Sequence, residues 1–424
     1  MNIKKKNKRF LERLKKLFFP FYKSKEIKEL FNILEKDEPK NKEIAMFVGG
    51  CVRKFLLKHE IDDVDLASIL TTEEIKEKFK KSEFSVIETG VKHGSVTIII
   101  NKKKFEITTL RKDIKTDGRH AEVSFTENWQ EDSHRRDLTI NAIYLNKNGK
   151  IFDPQNGISD LKEGRIKFIG EPTSRIEEDY LRIIRFLRFS IEYNYFEHDI
   201  KTISAIKLNL NGVKNISKER IFNELNKILK LENIHSLLKD NNIKNIFSLI
   251  FPEFKFLDRL YRIKELIDQN INIDKINTTL SALLIGAKDN HEYFCHKYKT
   301  SNNLKNYLDL IAKNYQKYNK EKNFLTKDIK INIYFFGKDN FIKILTFIYI
   351  ANSRFTMSEY KKIYNQVKNI SIPTFPFSGN LLIAKGVPSG KKIGEALKMI
   401  ELNWIKNNFN LPDKEFFNII SKFK

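Results

Sequence analysis

Ile44-Ala-Met-Phe-Val-Gly-Gly-Cys-Val-Arg-Lys-Phe-Leu-Leu-Lys58, followed by Asp63-Val-Asp-Leu-Ala67, decides the fold. Residues 44–48 are a short apolar run that predicts a strand, and Gly49-Gly50 ends it. Residues 51–58 then place Val52, Phe55 and Leu56 on one side of a helix. Two glycines between strand and helix let the backbone approach a ligand closely. The helix start offers unpaired N–H groups and the positive dipole end, which favours phosphate. Arg53 lies in the first helical turn and adds a charge-assisted donor. Residues 64–67 predict a second strand, and period two sets Asp63 and Asp65 on one face. Two hard carboxylates side by side suit a divalent cation that also takes phosphate oxygens. Alone, an Asp-x-Asp is usually a solvated strand end; this order and spacing is much more specific.

Outward from that stretch, residues 73–81 predict a charged helix, and residues 84–87, 95–100 and 104–110 predict strands. In the last, Phe105, Ile107 and Thr109 alternate to the core and leave Glu106 outward. Glu106 is then either an ordinary solvent-facing acid or a third carboxylate beside Asp63 and Asp65. Arg135-Arg136-Asp137-Leu-Thr-Ile-Asn-Ala142 offers Arg136 for a triphosphate and Asp137 for a ribose hydroxyl, or else a surface salt-bridge cluster. Further on, Asp179, Arg182, Arg185 and Arg188 recur every three residues, which predicts one charged helical stripe. Such a stripe serves an anion or a stacked base, or pairs with acids nearby. From about residue 175 the pattern turns helical throughout. Ser217 predicts an N-cap for a helix burying Ile221, Leu225, Ile228 and Leu229. The fold class is α+β: a small mixed sheet with helices, then a long helical remainder. Chain breaks are expected near Asp153-Pro154, Phe251-Pro252 and residues 372–376.

The 424 residues carry 78 Lys+Arg against 54 Asp+Glu, a net charge of +24, which favours a polyanionic partner. With 41% hydrophobic residues the chain builds real cores, and 16 Gly and 9 Pro exclude a collagenous or low-complexity class. Two cysteines, Cys51 and Cys295, support neither a disulfide framework nor a cysteine-rich zinc site, and fit a reducing, cytoplasmic setting. The longest apolar stretch, residues 344–351, is too short to span a bilayer, and no membrane partner is expected. Residues 1–16 are basic and read as a solvated arm, in preference to a transit peptide or a membrane-surface helix.

Phe47-Val-Gly-Gly-Cys-Val-Arg53, Asp63-Val-Asp65, Arg135-Arg-Asp-Leu-Thr-Ile-Asn-Ala142, Asp153-Pro-Gln-Asn-Gly157 with Asp160-Leu161, and Glu178-Asp-x-x-Arg-x-x-Arg185 resemble, in order, the motifs of the class II tRNA nucleotidyltransferases. That family comprises CCA-adding enzymes and bacterial poly(A) polymerases. The likeness covers roughly residues 44–230, including Ile216-Ser-Lys-Glu-Arg-Ile221, and residues 374–404 look like the tail of some bacterial CCA-adding enzymes. The resemblance implies a basic arm (1–25), a nucleotidyltransferase head (26–152), a neck (153–250), a helical body (251–372) and a tail (373–424). It implies addition of C, C and A to the 3′ end of tRNA from CTP and ATP, with two Mg²⁺ ions on Asp63 and Asp65 and with Glu106 as third carboxylate. Gly49, Gly50, Arg53 and Arg136 would meet the nucleotide, and Asp137 would select ribose. Asp179 and Arg182 would read the base, supported by Arg185 and Arg188.

No obligate protein partner is implied. Residues 89–97 look like the CCA branch; poly(A), CC-only or A-only addition stays open, as does a catalytically inactive RNA-binding protein. Residues 111–134 look like the family's flexible loop. One departure is Lys54, where the family usually has Asp after the motif arginine; this puts a local salt bridge in doubt. Gly386-Val-Pro-Ser-Gly390-Lys-Lys392 fails the P-loop spacing and reads as a helix opening; His198-Asp199 reads as a helix start, and Cys295-His296 as an ordinary helix pair.

Overall fold

A computed structural model describes residues 20–90, 94–117, 120–193, 198–286 and 290–424. The expected basic arm thus falls largely outside the described residues, as do residues 91–93 of the 89–97 segment. The described chain divides into two units, residues 20–258 with 297–299, and residues 259–296 with 300–424.

The first unit is built on a sheet of β1 (Ala45–Val48), β2 (Val64–Ser68), β3 (Ser85–Gly90), β4 (Ser95–Ile100), β5 (Lys103–Thr109), β8 (Tyr144–Leu145) and β9 (Ile151–Phe152), in the order β3-β4-β5-β2-β1-β8-β9. Only the β2–β5 pairing in this sheet is parallel. β1 is buried along its whole length, which explains its unbroken apolar run. β5 buries Phe105, Ile107 and Thr109 and turns Glu106 outward, as its alternation predicts.

Helix α1 (Lys25–Leu34) buries Ile27, Leu30, Phe31 and Leu34. Helix α2 (Gly50–Leu56) follows Gly49, whose φ of +74° only glycine adopts without strain. Helix α3 (Thr72–Phe79) starts in a capping box between Thr71 and Glu74.

The expected loop at residues 111–134 is instead an antiparallel ribbon, β6 (Arg111–Asp117) with β7 (His120–Phe125), followed by helix α4 (Trp129–Arg135). Cross-strand pairing satisfies the backbone there, although Lys, Asp and Glu are poor strand formers.

Helix α5 (Gly157–Glu163) begins where the Asp153 carboxylate accepts from the backbone N–H of Gly157 (2.8 Å) and Ile158 (2.9 Å). Its Asp160 accepts from the Thr139 hydroxyl at 2.7 Å. The Asp153–Leu161 motif is therefore a clamp on the turn at residues 139–141. Helices α6 (Pro172–Glu178), α7 (Leu181–Tyr193), α8 (Ile200–Asn209), α9 (Lys218–Leu229) and α10 (Asn241–Ile250) complete the unit. Asp199 caps α8 and Ser217 caps α9, which buries the four residues its spacing predicted.

The second unit is helical. Helix Lys338–Ala351 buries Phe341, Ile344, Leu345, Phe347, Ile348, Tyr349 and Ile350. A separate apolar cluster around Leu382, Ile400, Trp404, Phe416 and Ile420 holds its C-terminal helices together. Helix Lys391–Lys406 opens after Gly390, so the glycine-rich segment starts a helix as expected. Among the described residues no helix is long and apolar enough to cross a membrane.

A Cβ on Gly157 would lie 2.2 Å from the Thr139 carbonyl oxygen, a backbone atom that cannot step aside cheaply. Gly157→Ala should cost about 1–3 kcal/mol. Thermal unfolding should show a midpoint several degrees lower; an unchanged midpoint would refute the clamp.

Candidate active site

The acidic face follows from strand register. Parallel pairing sets Asp65 of β2 directly beside Glu106 of β5. Asp63 precedes Asp65 by two residues, just before the strand begins, and is exposed. Burial, then the Glu106 and Asp63 carboxylates, push the Asp65 carboxyl up to about 6, while Arg136 and Arg53 pull it down. Three acids and two guanidiniums therefore share one field. The glycine turn borders it: a Cβ on Gly49 would stand 3.9 Å from the Asp65 Oδ2. Behind the turn, the Cys51 thiol donates to the Val48 carbonyl at 3.3 Å, and burial pushes it up to about 11, which leaves it inert.

The donor set tests the fit to a cation. Asp63, Asp65 and Glu106 offer only hard oxygens on an open face. Among the described residues, the trio of His, Cys, Asp or Glu ligand atoms lying within 4.8 Å of one another is His291, Glu292 and Asp309, in the second unit. The strand acids are more widely spread. What fits Mg²⁺ is the donor chemistry, since that ion takes one or two carboxylates beside waters and substrate phosphates. His291 itself pairs with Asp309 at 3.2 Å.

The arginines are placed with unequal partners. Arg136 donates through Nη2 to Asp132 (2.8 Å) and through Nε to the Tyr144 hydroxyl (3.0 Å). Asp132 is fully buried and also accepts from Arg135 (2.7 Å) and Tyr144 (2.7 Å). Asp137 accepts from Asn141 Nδ2 (2.7 Å) and Arg185 Nε (2.6 Å). Burial alone would raise the Asp137 carboxyl; the Arg185 charge and these two bonds hold it well below the usual carboxylate range. Arg53 reaches Asn141 Oδ1 and, through Nε, the Tyr193 hydroxyl at 3.0 Å.

The expected single stripe at residues 178–188 is broken. Asp179 ends α6 in an extended conformation (φ −158°, ψ 103°), and α7 begins two residues later. Asp179 therefore sits at a corner, where Oδ1 accepts from the Leu181 N–H (3.1 Å) and Oδ2 from Arg220 (2.7 Å). Arg182 donates to Glu178 (2.5 Å) and to the Arg175 carbonyl (2.7 Å). Arg188 donates to Glu224 (2.5 Å) and lies 4.0 Å over the Phe189 ring. A Cβ on Gly212 would strike the Tyr180 ring at 2.1 Å, so the corner is packed tightly against that glycine. Lys54 pairs with Asp62, so a salt bridge exists there despite the departure from the motif.

Several functional neighbours were unassigned from sequence. Asp132 precedes Arg135 and Arg136 by three and four residues on one helix, a readable signal. Glu224, Arg220, Phe189 and Tyr193 come from folding alone.

Three family models match this chain: "Poly A polymerase head domain" over residues 45–167, "Probable RNA and SrmB- binding site of polymerase A" over 196–257, and "tRNA nucleotidyltransferase domain 2 putative" over 270–414. The CCA tRNA nucleotidyltransferase 1, mitochondrial, of Homo sapiens is 33% identical over 416 residues, covering 96% of this chain and 93% of that protein. The chain belongs to the class II tRNA nucleotidyltransferase and poly(A) polymerase family. The CCA-adding enzyme of Ligilactobacillus salivarius (strain UCC118) is another similar member, 34% identical over 400 residues, with 92% and 95% covered. In fold, the chain resembles the Bacillus stearothermophilus CCA-adding enzyme in complex with CTP (TM-score 0.70, 21% identity, 94% and 96% covered). It also resembles the Thermotoga maritima enzyme complexed with tRNA (TM-score 0.65, 21% identity, 95% and 97% covered). Nucleotidyltransferases of this family generally use a divalent metal.

Asp132 gives a pH test. Burial would raise its carboxyl, but the charges of Arg136 and Arg135 and the Tyr144 bond hold it well below the usual range. A depressed folded value contributes stability that is complete above the unfolded value of about 3.9 and is lost as pH falls toward the folded one. Asp132→Asn should cost about 3 kcal/mol at pH 7 by leaving buried guanidiniums uncompensated. The difference from the parent should narrow in denaturant titrations below about pH 4. A constant difference down to pH 2 would contradict this account.

Proposed function

We propose that the protein adds C, C and A to the 3′ end of tRNA from CTP and ATP, releasing pyrophosphate. The observation that carries this reading is the Asp65–Glu106 register, which sets an acidic face beside the Gly49-Gly50 turn, Arg53 and Arg136. The covered length and identity of the CCA-adding relatives support the choice of product.

Asp63 and Asp65 would hold Mg²⁺, read here as two ions, with Glu106 as the neighbouring acid. The metal supplies charge neutralisation on the triphosphate and a lowered pKa at the RNA 3′-hydroxyl. The chain's own residues do the rest. Gly49-Gly50 and the start of α2 present backbone N–H groups to the triphosphate, and Arg53 and Arg136 add fixed positive charge. Asp137, tied to Asn141 and Arg185, orders the ribose side of the pocket.

Asp179 and Arg182 serve as a protein template. A carboxylate only accepts and a guanidinium only donates. Cytosine and adenine each present an amino donor next to a ring-nitrogen acceptor, which matches the pair. Uracil and guanine present the reverse and leave both side chains mismatched, at about 1–3 kcal/mol for each unpaired group. Arg182 is anchored through Nη1 alone, so its other nitrogens can face a base. The buried free thiols of Cys51 and Cys295 agree with a reducing, cytoplasmic setting.

The test is extension of a tRNA lacking its last three nucleotides, with CTP and ATP supplied singly and together. Extension should stop after C, C and A. A long A tract would establish poly(A) addition instead, and a stop after two C would establish CC addition. Asp65→Ala should lower incorporation by about 10³-fold or more while tRNA retention on a filter is unchanged; full incorporation would remove the catalytic assignment. With a net charge of +24, tRNA affinity should fall steeply between 50 and 200 mM salt, by roughly 10³-fold if about six phosphates are neutralised. Salt-independent affinity would refute binding through the phosphates.

A further inference from the structure

Of the five motif arginines Arg53, Arg136, Arg182, Arg185 and Arg188, four have a carboxylate within salt-bridge distance. Arg136 has Asp132, Arg182 has Glu178, Arg185 has Asp137 and Arg188 has Glu224. Arg53 differs. Among the described residues no carboxylate lies within 4.0 Å of its guanidinium, although the residue is only 8% exposed. Its partners are all neutral. Nε donates to the Tyr193 hydroxyl at 3.0 Å, Nη1 donates to Asn141 Oδ1, and Cζ lies 4.7 Å from the centre of the Phe189 ring. The remaining nitrogen, Nη2, stands 3.9 Å from where a Gly50 Cβ would be, so it faces the glycine turn.

A buried guanidinium hydrogen-bonded only to neutral groups has no bonded acid to displace when an anion arrives, although it acts on Asp65 through space. A carboxylate at the same place would fix the side chain equally well but would compete with the phosphates. Tyr193 is suited to the task. It is the last residue of α7, and its ring stacks parallel to Phe189 one helical turn earlier (centroids 6.1 Å apart, planes 3° apart). Burial pushes its hydroxyl above the ordinary tyrosine value, so it stays neutral.

We infer that Tyr193 is a positioning residue for nucleotide binding: its hydroxyl aims Arg53 at the triphosphate without neutralising it. The inference rests on reading Arg53 as a triphosphate contact. It also links the two ends of one helix. The N-terminal end of α7 carries Arg182 at the base, and the C-terminal end orients the cation at the phosphates.

Tyr193→Phe keeps the ring and removes the hydroxyl. Steady-state extension of truncated tRNA should show KM for CTP and for ATP raised about tenfold, with kcat within about twofold. The C-to-A preference should not move; a merely structural role would lower the thermal midpoint and leave KM for both nucleotides unchanged. Arg53→Lys, measured in parallel, should raise both KM values at least as far. The double variant should add little to Arg53→Lys alone, because the hydroxyl acts through Arg53. Unchanged KM in Tyr193→Phe with raised KM in Arg53→Lys would overturn the inference and leave the proposed function standing. Unchanged KM in Arg53→Lys would remove the triphosphate role of Arg53, and the inference with it. Equal additional loss in the double variant would also overturn it, by showing that Tyr193 acts elsewhere.

Discussion

The bond between Arg185 and Asp137, 2.6 Å long and spanning 48 residues of chain, is the constraint on which the site depends. It joins α7 to the segment that follows α4. A buried ion pair gains little net stability, because desolvation offsets most of the attraction; its value lies in fixing geometry. Here the fixing is extended by a polar chain. Asp137 holds Asn141, Asn141 holds Arg53, and Arg53 holds Tyr193, which returns to α7. Arg185 and Tyr193 are eight residues apart, about 12 Å along a helix. Anchoring one helix at two points on the same network prevents both sliding and rotation. The N-terminal end of α7, which carries Arg182, is thereby set relative to the glycine turn.

The distribution of charge is as important as its amount. The arginines that shape the corner are paired with acids, some of them shared, so they act as struts. Among the described residues, the acids on β2 and β5 are not given arginines of their own; Arg53 and Arg136 influence Asp65 through space. Burial first, and then the neighbouring Glu106 and Asp63 carboxylates, raise the Asp65 carboxyl to about 6 despite Arg136 and Arg53. Such a face favours an added cation, and a cation favours phosphate in turn. The +24 excess over the whole chain then serves a different purpose, attracting a long polyanion.

Much of this was legible in sequence because it depends on short periods. Strand alternation placed Glu106 outward, whereas Asp63 lies just before β2 and only Asp65 is set by its register. The helix starts at Asp199 and Ser217 arose from residues adjacent to the helices they begin. The pairings that hold the corner were not legible. Arg188 finds Glu224 across 36 residues and Arg220 finds Asp179 across 41, and no periodicity encodes such partners. The β6–β7 ribbon was missed because its charged composition opposes strand formation, while pairing and packing against α4 decide it. The break at Asp179 was missed for a related reason: a three-residue charge repeat continues through it, although the backbone does not.

On the proposed reading, that break is also what would make base selection by Asp179 and Arg182 workable. A reader that can rotate recovers a mismatched base by turning to water, and discrimination is lost. Asp179 has one oxygen bound by the Leu181 N–H and the other by Arg220, and Arg182 is held at Nη1 by Glu178 and a carbonyl. Tyr180 between them is packed where a single added carbon at Gly212 would collide. Neither reader can turn without breaking a bond, so a reversed donor and acceptor stays unpaired and its full penalty appears as rejection. Each oxygen and the open guanidinium edge keep capacity for a further bond. In this reading the corner is rigid where error would enter and unsaturated where the base arrives, and the anchoring of α7 carries that rigidity through to the phosphate side.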